Sequence, residues 1–234
     1  MGQGMGQAEA GGAHGRELRR AETHERVFLA AVLVLTDRGY DGATMEEIAA
    51  AAGVARRTAF YHFPAKSDIA TEWAVRRGEQ AFEATRLVGP PSGSGPDRVL
   101  AYFHELAVMT ERDWEETRQL TTGWLRGYGT PGHRPLLSAE LRDRLGEWLR
   151  SEPAGPETAP VRDPALAAEI LYDVFRGALL RWLPRPGPPD GRFTAEADAA
   201  VTLVLAGLGC RPATRGASED PRRGPADAGR TGGG

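Results

Sequence analysis

Apolar residues recur three and four positions apart along most of this 234-residue chain, and that spacing constrains the fold more than any other feature. It places apolar side chains on one face of an α-helix, whereas a half-buried β-strand needs strict alternation of apolar and polar residues, which the sequence lacks. Over residues 22–38, Val27, Ala31 and Leu35 keep the helical register, and Gly39 ends it. The sequence therefore predicts an all-α protein.

Glycine- and proline-rich segments divide the chain into about nine predicted helices. The clearest boundary is 89–95, which reads Gly-Pro-Pro-Ser-Gly-Ser-Gly and separates the first four helices from the remainder. The predicted helices span 22–38, 44–52, 56–62, 67–86, 96–110, 113–128, 135–151, 163–183 and 194–208.

Capping residues mark several of these helix boundaries. Thr44 and Glu47 have the spacing of a capping box, in which the hydroxyl accepts from the Glu47 amide and the carboxylate reaches back to Thr44. Asp163, which a proline follows, and Thr194 are the predicted N-caps of the last two helices. Gly53 can adopt the left-handed conformation that ends a helix, so a third helix must begin within a few residues.

The charge composition excludes a protein that is basic over its whole surface. The chain has 29 basic and 32 acidic residues and a net charge of −3, and Lys66 is its one lysine. Any contact with nucleic acid must therefore come from a local patch. The single cysteine, Cys210, excludes a disulfide framework, and no apolar run approaches the ~20 residues of a membrane span. These features predict a cytoplasmic protein without a membrane partner.

Sequence patterns of metal sites and of common catalytic sites are missing. The 5 histidines are scattered without a His-x-x-x-His pair, and the chain has neither a Gly-x-Ser-x-Gly sequence nor a phosphate-binding loop. We therefore expect no metal, no cofactor and no enzymatic activity.

The segment 54–66 carries positive charge and no acid. Its basic residues, apart from a histidine, are Arg56, Arg57 and Lys66. Arg56 and Arg57 stand at the start of the third predicted helix, the end that a helix-turn-helix protein points into the major groove of DNA. An arginine there can form two hydrogen bonds with guanine, so both residues are candidates for reading bases.

Polar residues around this helix suit the phosphate oxygens of a DNA backbone. Thr58, Tyr61 and His62 offer hydroxyl and imidazole donors. Lys66 precedes the fourth helix, and Thr44 stands at the corresponding point of the second helix. Taken singly, each residue is equally compatible with a solvated surface or a core aromatic, and only their combination points to DNA.

Residues 44–66, TMEEIAAAAGVARRTAFYHFPAK, resemble the DNA-binding domain of the tetracycline-repressor (TetR) family of bacterial regulators. The Gly39-Tyr40 pair that ends the first helix belongs to the same pattern, and the specific match covers about 27–69. One departure is Ala55, where the family often has serine or threonine as an N-cap. Loss of such a cap typically costs ~1 kcal/mol of helix stability.

The resemblance implies an Ω-shaped homodimer that binds double-stranded operator DNA. It assigns Thr44, Thr58, Tyr61, His62 and Lys66 to phosphates, whereas the assignment of the two arginines to bases is our own inference. It also implies a C-terminal domain that binds a small molecule and dimerises through its last two helices, here 163–183 and 194–208. The predicted division is a flexible arm over 1–16, a helix-turn-helix domain over 17–66, a ligand-binding and dimerisation domain over 67–209, and a disordered tail over 210–234.

Aromatic and polar residues are dense in the middle helices, where the family architecture implies a ligand cavity. An apolar pocket with a few polar groups is the usual form of a small-molecule site, although aromatics at helical spacing more often belong to a core. The candidate ligand-binding residues are Tyr102, Phe103, His104, Met109, Trp114, Arg118, Trp124, Tyr128, Trp148, Tyr172, Phe175 and Arg176.

Two functions compete at this point. The first is a ligand-responsive transcriptional regulator, a repressor of a pseudo-palindromic operator that a small apolar or aromatic effector releases. The alternative is a helical-bundle protein that binds a small molecule or acts as an enzyme, whose basic helix is only a solvated surface.

Overall fold

The computed structural model describes residues 5–88, 94–127, 138–150 and 161–210. These residues form nine α-helices, and strands are absent from the described part of the chain, which confirms the all-α prediction. No described helix is long and apolar enough to cross a membrane. The helices are α1 (Met5–Arg38), α2 (Met45–Ala51), α3 (Arg56–His62), α4 (Lys66–Val88), α5 (Gly95–Arg112), α6 (Trp114–Gly127), α7 (Ala139–Arg150), α8 (Pro164–Trp182) and α9 (Arg192–Gly207).

Helix α1 begins far earlier than its apolar pattern indicates. It starts at Met5, so the predicted start at 22 is wrong, whereas the flexible arm over 1–16 stays a prediction. The segment over 5–21 contains no proline, but four of its residues are glycine, which has poor helix propensity, so neither propensity nor apolar periodicity in the sequence indicates this early start.

Helices α1, α2 and α3 and the first turns of α4 pack around one apolar cluster. Helix α1 supplies its longest continuous face, and α2 and α3 close it from the opposite side. The most buried members of this cluster include Val27, Ala31, Leu35, Ile48, Ala59, Phe63 and Ile69. This three-helix arrangement with a tight turn between α2 and α3 is a helix-turn-helix unit.

The second apolar cluster joins the later part of α4 to α5, α7, α8 and α9. Helix α5 lies between α4 and α9, and α7 packs against α8. Its fully buried side chains include Val99, Tyr102, Phe103, Leu145, Leu171, Phe193, Val201 and Leu205. Helix α4 contributes to both clusters and so connects the helix-turn-helix unit to the rest of the protein.

The start of α9 corrects one predicted cap. Asp163 caps α8 as predicted, accepting from the Leu166 amide at 3.0 Å. Thr194, however, lies inside the first turn of α9, which begins after Gly191 with φ +82°. Glu111 of α5 instead accepts from the Phe193 amide at 2.8 Å and from the Thr194 hydroxyl at 2.8 Å. A carboxylate from a distant helix thus satisfies two amides in the first turn of α9, those of Phe193 and Thr194.

The predicted tail lies almost entirely outside the described residues. Its first residue, Cys210, is described and is buried against the second apolar cluster, and the predicted boundary at 209/210 stays a prediction. The predicted boundary at residue 66 falls on the first residue of α4.

Candidate nucleic-acid interface

The turn between α2 and α3 is built by two local devices. Thr44 accepts from the Glu47 amide at 3.2 Å while Glu47 accepts from the Thr44 amide at 2.9 Å, which is the predicted capping box. Gly53 adopts φ +64°, a conformation that an L side chain rarely adopts. As the sequence indicates, Ala55 provides no side-chain cap for α3. The recognition helix therefore depends on tertiary packing for its stability.

Helix α3 leaves Arg57 and Tyr61 on its exposed surface. The two arginines at its start differ in their surroundings. Arg56 forms an ion pair with Glu46 at 2.7 Å and lies over the Phe60 ring, whereas Arg57 has no partner among the described residues. Arg57 is consequently the better placed of the two to reach a base without first breaking an ion pair.

His62 lies at the end of α3 against the first helix. The ring of His24 lies 5.4 Å from that of His62 and is stacked on Phe63 at 4.6 Å. Burial, and then the positive charge of His24 and Arg20, lower the pKa of His62. The imidazole is therefore neutral near pH 7, and it can offer a phosphate a hydrogen bond but not a full charge.

Lys66 is occupied within the protein. Its ammonium donates to the carbonyl oxygens of Tyr40 at 2.5 Å and Ala43 at 2.7 Å, and it lies over the Tyr40 ring at 4.7 Å. These contacts tie the start of α4 to the turn between α1 and α2. The predicted phosphate contact of Lys66 would require the ammonium to be shared with these carbonyls or released from them.

The same α1–α2 turn also contacts α6. The Tyr40 amide donates to Gln119 at 3.0 Å, and Arg126 pairs with Asp41 at 2.9 Å. Gly123 lies so close to the Tyr40 ring that a Cβ atom at this position would overlap it. A helix outside the helix-turn-helix unit is therefore fitted directly onto that unit.

A small cavity lies on the other side of α6, between α4, α5 and α8. Its volume is about 40 Å³, and aromatic and aliphatic side chains form most of its wall. The lining residues are Trp73, Ala74, Arg77, Leu106, Thr110, Thr117, Thr121, Trp124, Tyr172, Phe175 and Leu179.

Arg77 links two helices at the wall of this cavity. Its guanidinium contacts Asp113 and Glu116 at 2.7 Å each, and its side chain is only 12% exposed. Glu116 also accepts from the Trp73 indole at 2.6 Å. First Arg112, and to a smaller degree Arg77, lower the pKa of Asp113 against the opposing effect of burial. The network holds α4 and α6 together by charged hydrogen bonds.

Arg76, the neighbour of Arg77, makes the corresponding link from α4 to α1. It pairs with Glu25 at 2.7 Å and with Glu72 at 2.5 Å, and it lies over the Phe28 ring at 3.8 Å. Helix α4 is thus joined to α1 on one side and to α6 on the other.

The cavity gathers only some of the candidate ligand-binding residues. Trp124, Tyr172 and Phe175 line it. Tyr102, Phe103 and Met109 are buried in the core around α5, and Tyr128 lies outside the described residues. The assignment of these residues to ligand binding stays a prediction.

The other candidates are not among the residues that line the cavity. Trp148 is stacked on Phe82, and His104 contacts Asp198 at 2.8 Å. Trp114 is buried at the start of α6. The two candidate arginines form ion pairs within their own helices, Arg118 with Glu115 and Arg176 with Asp173, and Arg176 also lies over Trp124.

Sequence reasoning missed Arg77 and the threonines of this cavity. Thr117 and Thr121 are both buried and lie four residues apart on α6, a spacing that puts them on one face. That spacing was readable from the sequence, whereas the partners of Arg77 depend on how α4 and α6 pack. Among the described residues, no group of three His, Cys, Asp or Glu side chains is placed to hold a metal ion.

Comparison with known proteins shows that the sequence is similar to bacterial transcriptional regulators. A family model described as "Bacterial regulatory proteins, tetR family" matches residues 28–72, which include the capping box, the Gly53 turn and α3. The curated repressor KstR of Rhodococcus jostii is 24% identical over 164 residues, which cover 70% of this chain and 74% of KstR. An uncharacterized HTH-type transcriptional regulator of Mycobacterium tuberculosis is 28% identical over 206 residues, 86% of this chain and 88% of that protein. Residues 28–72 of this chain therefore match the DNA-binding domain of the TetR family.

Solved structures of TetR-family regulators share its fold. Thermus thermophilus FadR, crystallised in complex with lauroyl-CoA, matches with a TM-score of 0.59 at 22% identity, over 82% of this chain and 97% of FadR. FadR from Bacillus halodurans matches with a TM-score of 0.58 at 20% identity, over 78% of this chain and 98% of that one. The helix-turn-helix unit and the match to curated regulators, rather than the shared fold, make this chain a DNA-binding transcriptional regulator.

Arg57→Ala is expected to relax the preference of this protein at one base position. A bidentate arginine–guanine contact discriminates by about 1–3 kcal/mol, and Arg57 is exposed and partnerless among the described residues. Selection from random duplexes by the wild type and by the variant measures the change. Arg56→Ala provides the comparison, because Arg56 already pairs with Glu46. Identical base-preference profiles for Arg57→Ala and the wild type would show that Arg57 does not contact a base.

Proposed function

We propose that this protein is a ligand-responsive repressor that binds a pseudo-palindromic operator as a homodimer and leaves it when a small effector binds. The observation that carries the proposal is the position of α6. One face of α6 lines the cavity through Thr117, Thr121 and Trp124, and another face holds the α1–α2 turn through Gln119. A change at the cavity therefore reaches the helix-turn-helix unit through one rigid helix.

The outer faces of α8 and α9 support a homodimer. Leu166 and Ile170 on α8 are 50% and 40% exposed, and Leu203 on α9 is 75% exposed. The second copy would cover these side chains with its own α8 and α9 in an isologous four-helix bundle. The two recognition helices would then enter successive major grooves about 34–36 Å apart, and the pseudo-palindrome of the operator reflects this symmetry.

The cavity favours an uncharged apolar or aromatic effector. Arg77, the charged residue of its wall, already has two carboxylate partners, so little positive charge is left for an anionic ligand. The lauroyl-CoA bound by Thermus FadR has a long apolar chain, which such a wall would accept. An effector that resembles the apolar acyl chain of such a molecule therefore fits this cavity better than one that resembles the phosphates of its coenzyme A part.

The effector must enlarge the cavity when it binds. Pockets for drug-sized ligands occupy roughly 300–1,000 Å³. The described cavity, at about 40 Å³, is far smaller. Entry of an effector would separate α4 from α6, and because α4 begins directly after the recognition helix, the spacing of the two recognition helices would change. Release from DNA follows as a shift between two populations.

A gel-shift titration against the DNA upstream of the protein's own gene tests the proposal. We expect a discrete complex with two protomers per site that forms in preference to a random duplex of equal length. Equal binding to both duplexes would contradict it and favour the alternative of a helical-bundle protein with a merely solvated basic helix. Such a regulator would act in the cytoplasm, where bacterial DNA is found.

Thermodynamic linkage between the effector and the operator DNA gives a quantitative expectation. A compound from a screen of apolar and aromatic molecules that displaces operator should bind operator-free dimer more tightly than operator-bound dimer. By thermodynamic reciprocity the two coupling factors are equal, and they typically lie between about 5-fold and about 150-fold. Calorimetric titration of the compound with and without operator measures them. Equal affinity for both forms would show that displacement occurs by another route.

A further inference from the structure

The N-terminal part of α1 runs past the end of the recognition helix. His24, where α1 leaves the core, contacts the rings of His62 and Phe63. One turn earlier, the guanidinium of Arg20 lies over the ring of Tyr61 at 5.4 Å. Tyr61 is 63% exposed and stands on the surface that α3 presents to DNA. Helix α1 therefore places a positive charge beside that surface.

This part of α1 carries three arginines without a carboxylate partner among the described residues, although Arg19 donates to the Gly15 carbonyl at 3.1 Å. Arg16, Arg19 and Arg20 are spaced at i, i+3 and i+4, so they are neighbours on the helix surface. All three are exposed and none forms an ion pair with a described residue. The nearby acids Glu17 and Glu22 are exposed as well and pair with none of the three.

Most arginines on the other described helices, in contrast, form ion pairs with carboxylates. Arg56, Arg77, Arg126 and Arg144 each form an ion pair with a carboxylate from another element. Three neighbouring arginines without such a carboxylate give α1 a local positive potential in a chain whose net charge is −3. A polyanion next to α3 is the partner that this charge matches.

We propose that the N-terminal part of α1, over residues 14–20, is a second DNA-contacting element. Arg16, Arg19 and Arg20 bind backbone phosphates adjacent to the phosphate that Tyr61 is predicted to contact. The stacking of Arg20 on Tyr61 holds its guanidinium at this edge of the interface before DNA arrives. The contacts position the protein without reading bases, and the inference rests on the proposed DNA-binding function.

The test compares two double variants that remove the same charge. Arg16→Gln with Arg20→Gln changes the proposed element, and Arg142→Gln with Arg150→Gln changes α7, which packs against α5 and α8. Glutamine has nearly the helix propensity of arginine, so both variants should fold. Binding of the full-length proteins to one random-sequence duplex is measured by fluorescence anisotropy between about 50 and about 200 mM salt.

We expect the α1 variant to bind about tenfold more weakly per lost contact at about 0.1 M salt. Its salt slope, the steepness with which the logarithm of the binding constant falls against the logarithm of the salt concentration, should decrease by about 0.9 per lost contact. The α7 variant should match the wild type. Arg20→Lys, which keeps the charge, should retain most of the slope. An α1 variant with the slope and affinity of the wild type would overturn the inference.

The single variant Arg16→Gln tests the role of α1 without changing the contact between Arg20 and Tyr61. Arg16→Gln alone should leave Tyr61 in place, because no hydrogen bond, ion pair or ring contact joins Arg16 to the described side chains of α3. It should still lower the salt slope by about 0.9, and an unchanged slope would remove Arg16 from the element. If the wild type itself bound the duplex without salt dependence, the proposed DNA-binding function would fail rather than the role of α1.

Discussion

Arg77→Met is expected to lower the free energy of unfolding by about 3 kcal/mol. The guanidinium is 12% exposed and bridges Asp113 and Glu116 between α4 and α6. Methionine keeps an apolar stem of similar length and removes the charge, which leaves two carboxylates without their shared cation. Because both carboxylate side chains are still 28% exposed, water recovers part of the loss, and the effect falls at the lower end of the range for buried pairs.

Urea unfolding followed by circular dichroism, at pH 7 and one fixed protein concentration, measures this change. Arg118→Met is the matched control, because Arg118 pairs with Glu115 at the surface with 44% and 51% of their side chains exposed. Exposed pairs contribute about 0–1 kcal/mol, so this control should remain close to the wild type. Equal stability of the two variants would show that the Arg77 network does not hold α4 to α6.

Lys66→Met is expected to lower the free energy of unfolding by about 2 kcal/mol. The change removes the charged donor that satisfies the carbonyls of Tyr40 and Ala43, and it removes the cation over the Tyr40 ring. The α1–α2 turn then loses its tie to α4. Arg57→Met is the control, since Arg57 is exposed and has no partner among the described residues, and it should leave stability unchanged.

The same Lys66 variant also tests the phosphate contact that the family resemblance implies. If Lys66 binds a phosphate in the complex, Lys66→Met weakens binding to all sequences alike and lowers the salt slope by about 0.9. A loss of stability with an unchanged slope would assign Lys66 to the turn alone. Unchanged stability would contradict the structural role that its two hydrogen bonds indicate.

Local patterns in the sequence predicted much of the helix-turn-helix unit. The capping box between Thr44 and Glu47, the left-handed conformation of Gly53 and the missing cap at Ala55 are all present. Each depends on residues within one or two turns of each other, and such short-range geometry is the same in almost any tertiary context. The resemblance of residues 44–66 to the DNA-binding domain of the TetR family then followed from the register of these local signals.

The residues that line the candidate ligand cavity could be predicted from the sequence far less well. Aromatic density around α5 and α6 singled out Trp124, which lines the cavity, together with Tyr102 and Phe103, which are buried in the core. Periodicity identifies the buried face of a helix, and a core wall and a cavity wall have the same periodicity. Only the packing of α4 against α6 distinguishes them.

The sequence by itself determined that this chain is all-helical, where most of its helices begin and end, and that residues 44–66 form a helix-turn-helix motif of the TetR family. These properties arise from propensity, capping and periodicity, which act over a few residues. The tertiary structure decided the partners of the charged side chains: Lys66 on two carbonyls, Arg77 between two carboxylates, and Arg20 on Tyr61. An arginine or lysine reaches whichever partner the folded chain brings near it, and that distance is set by helix packing rather than by neighbouring residues.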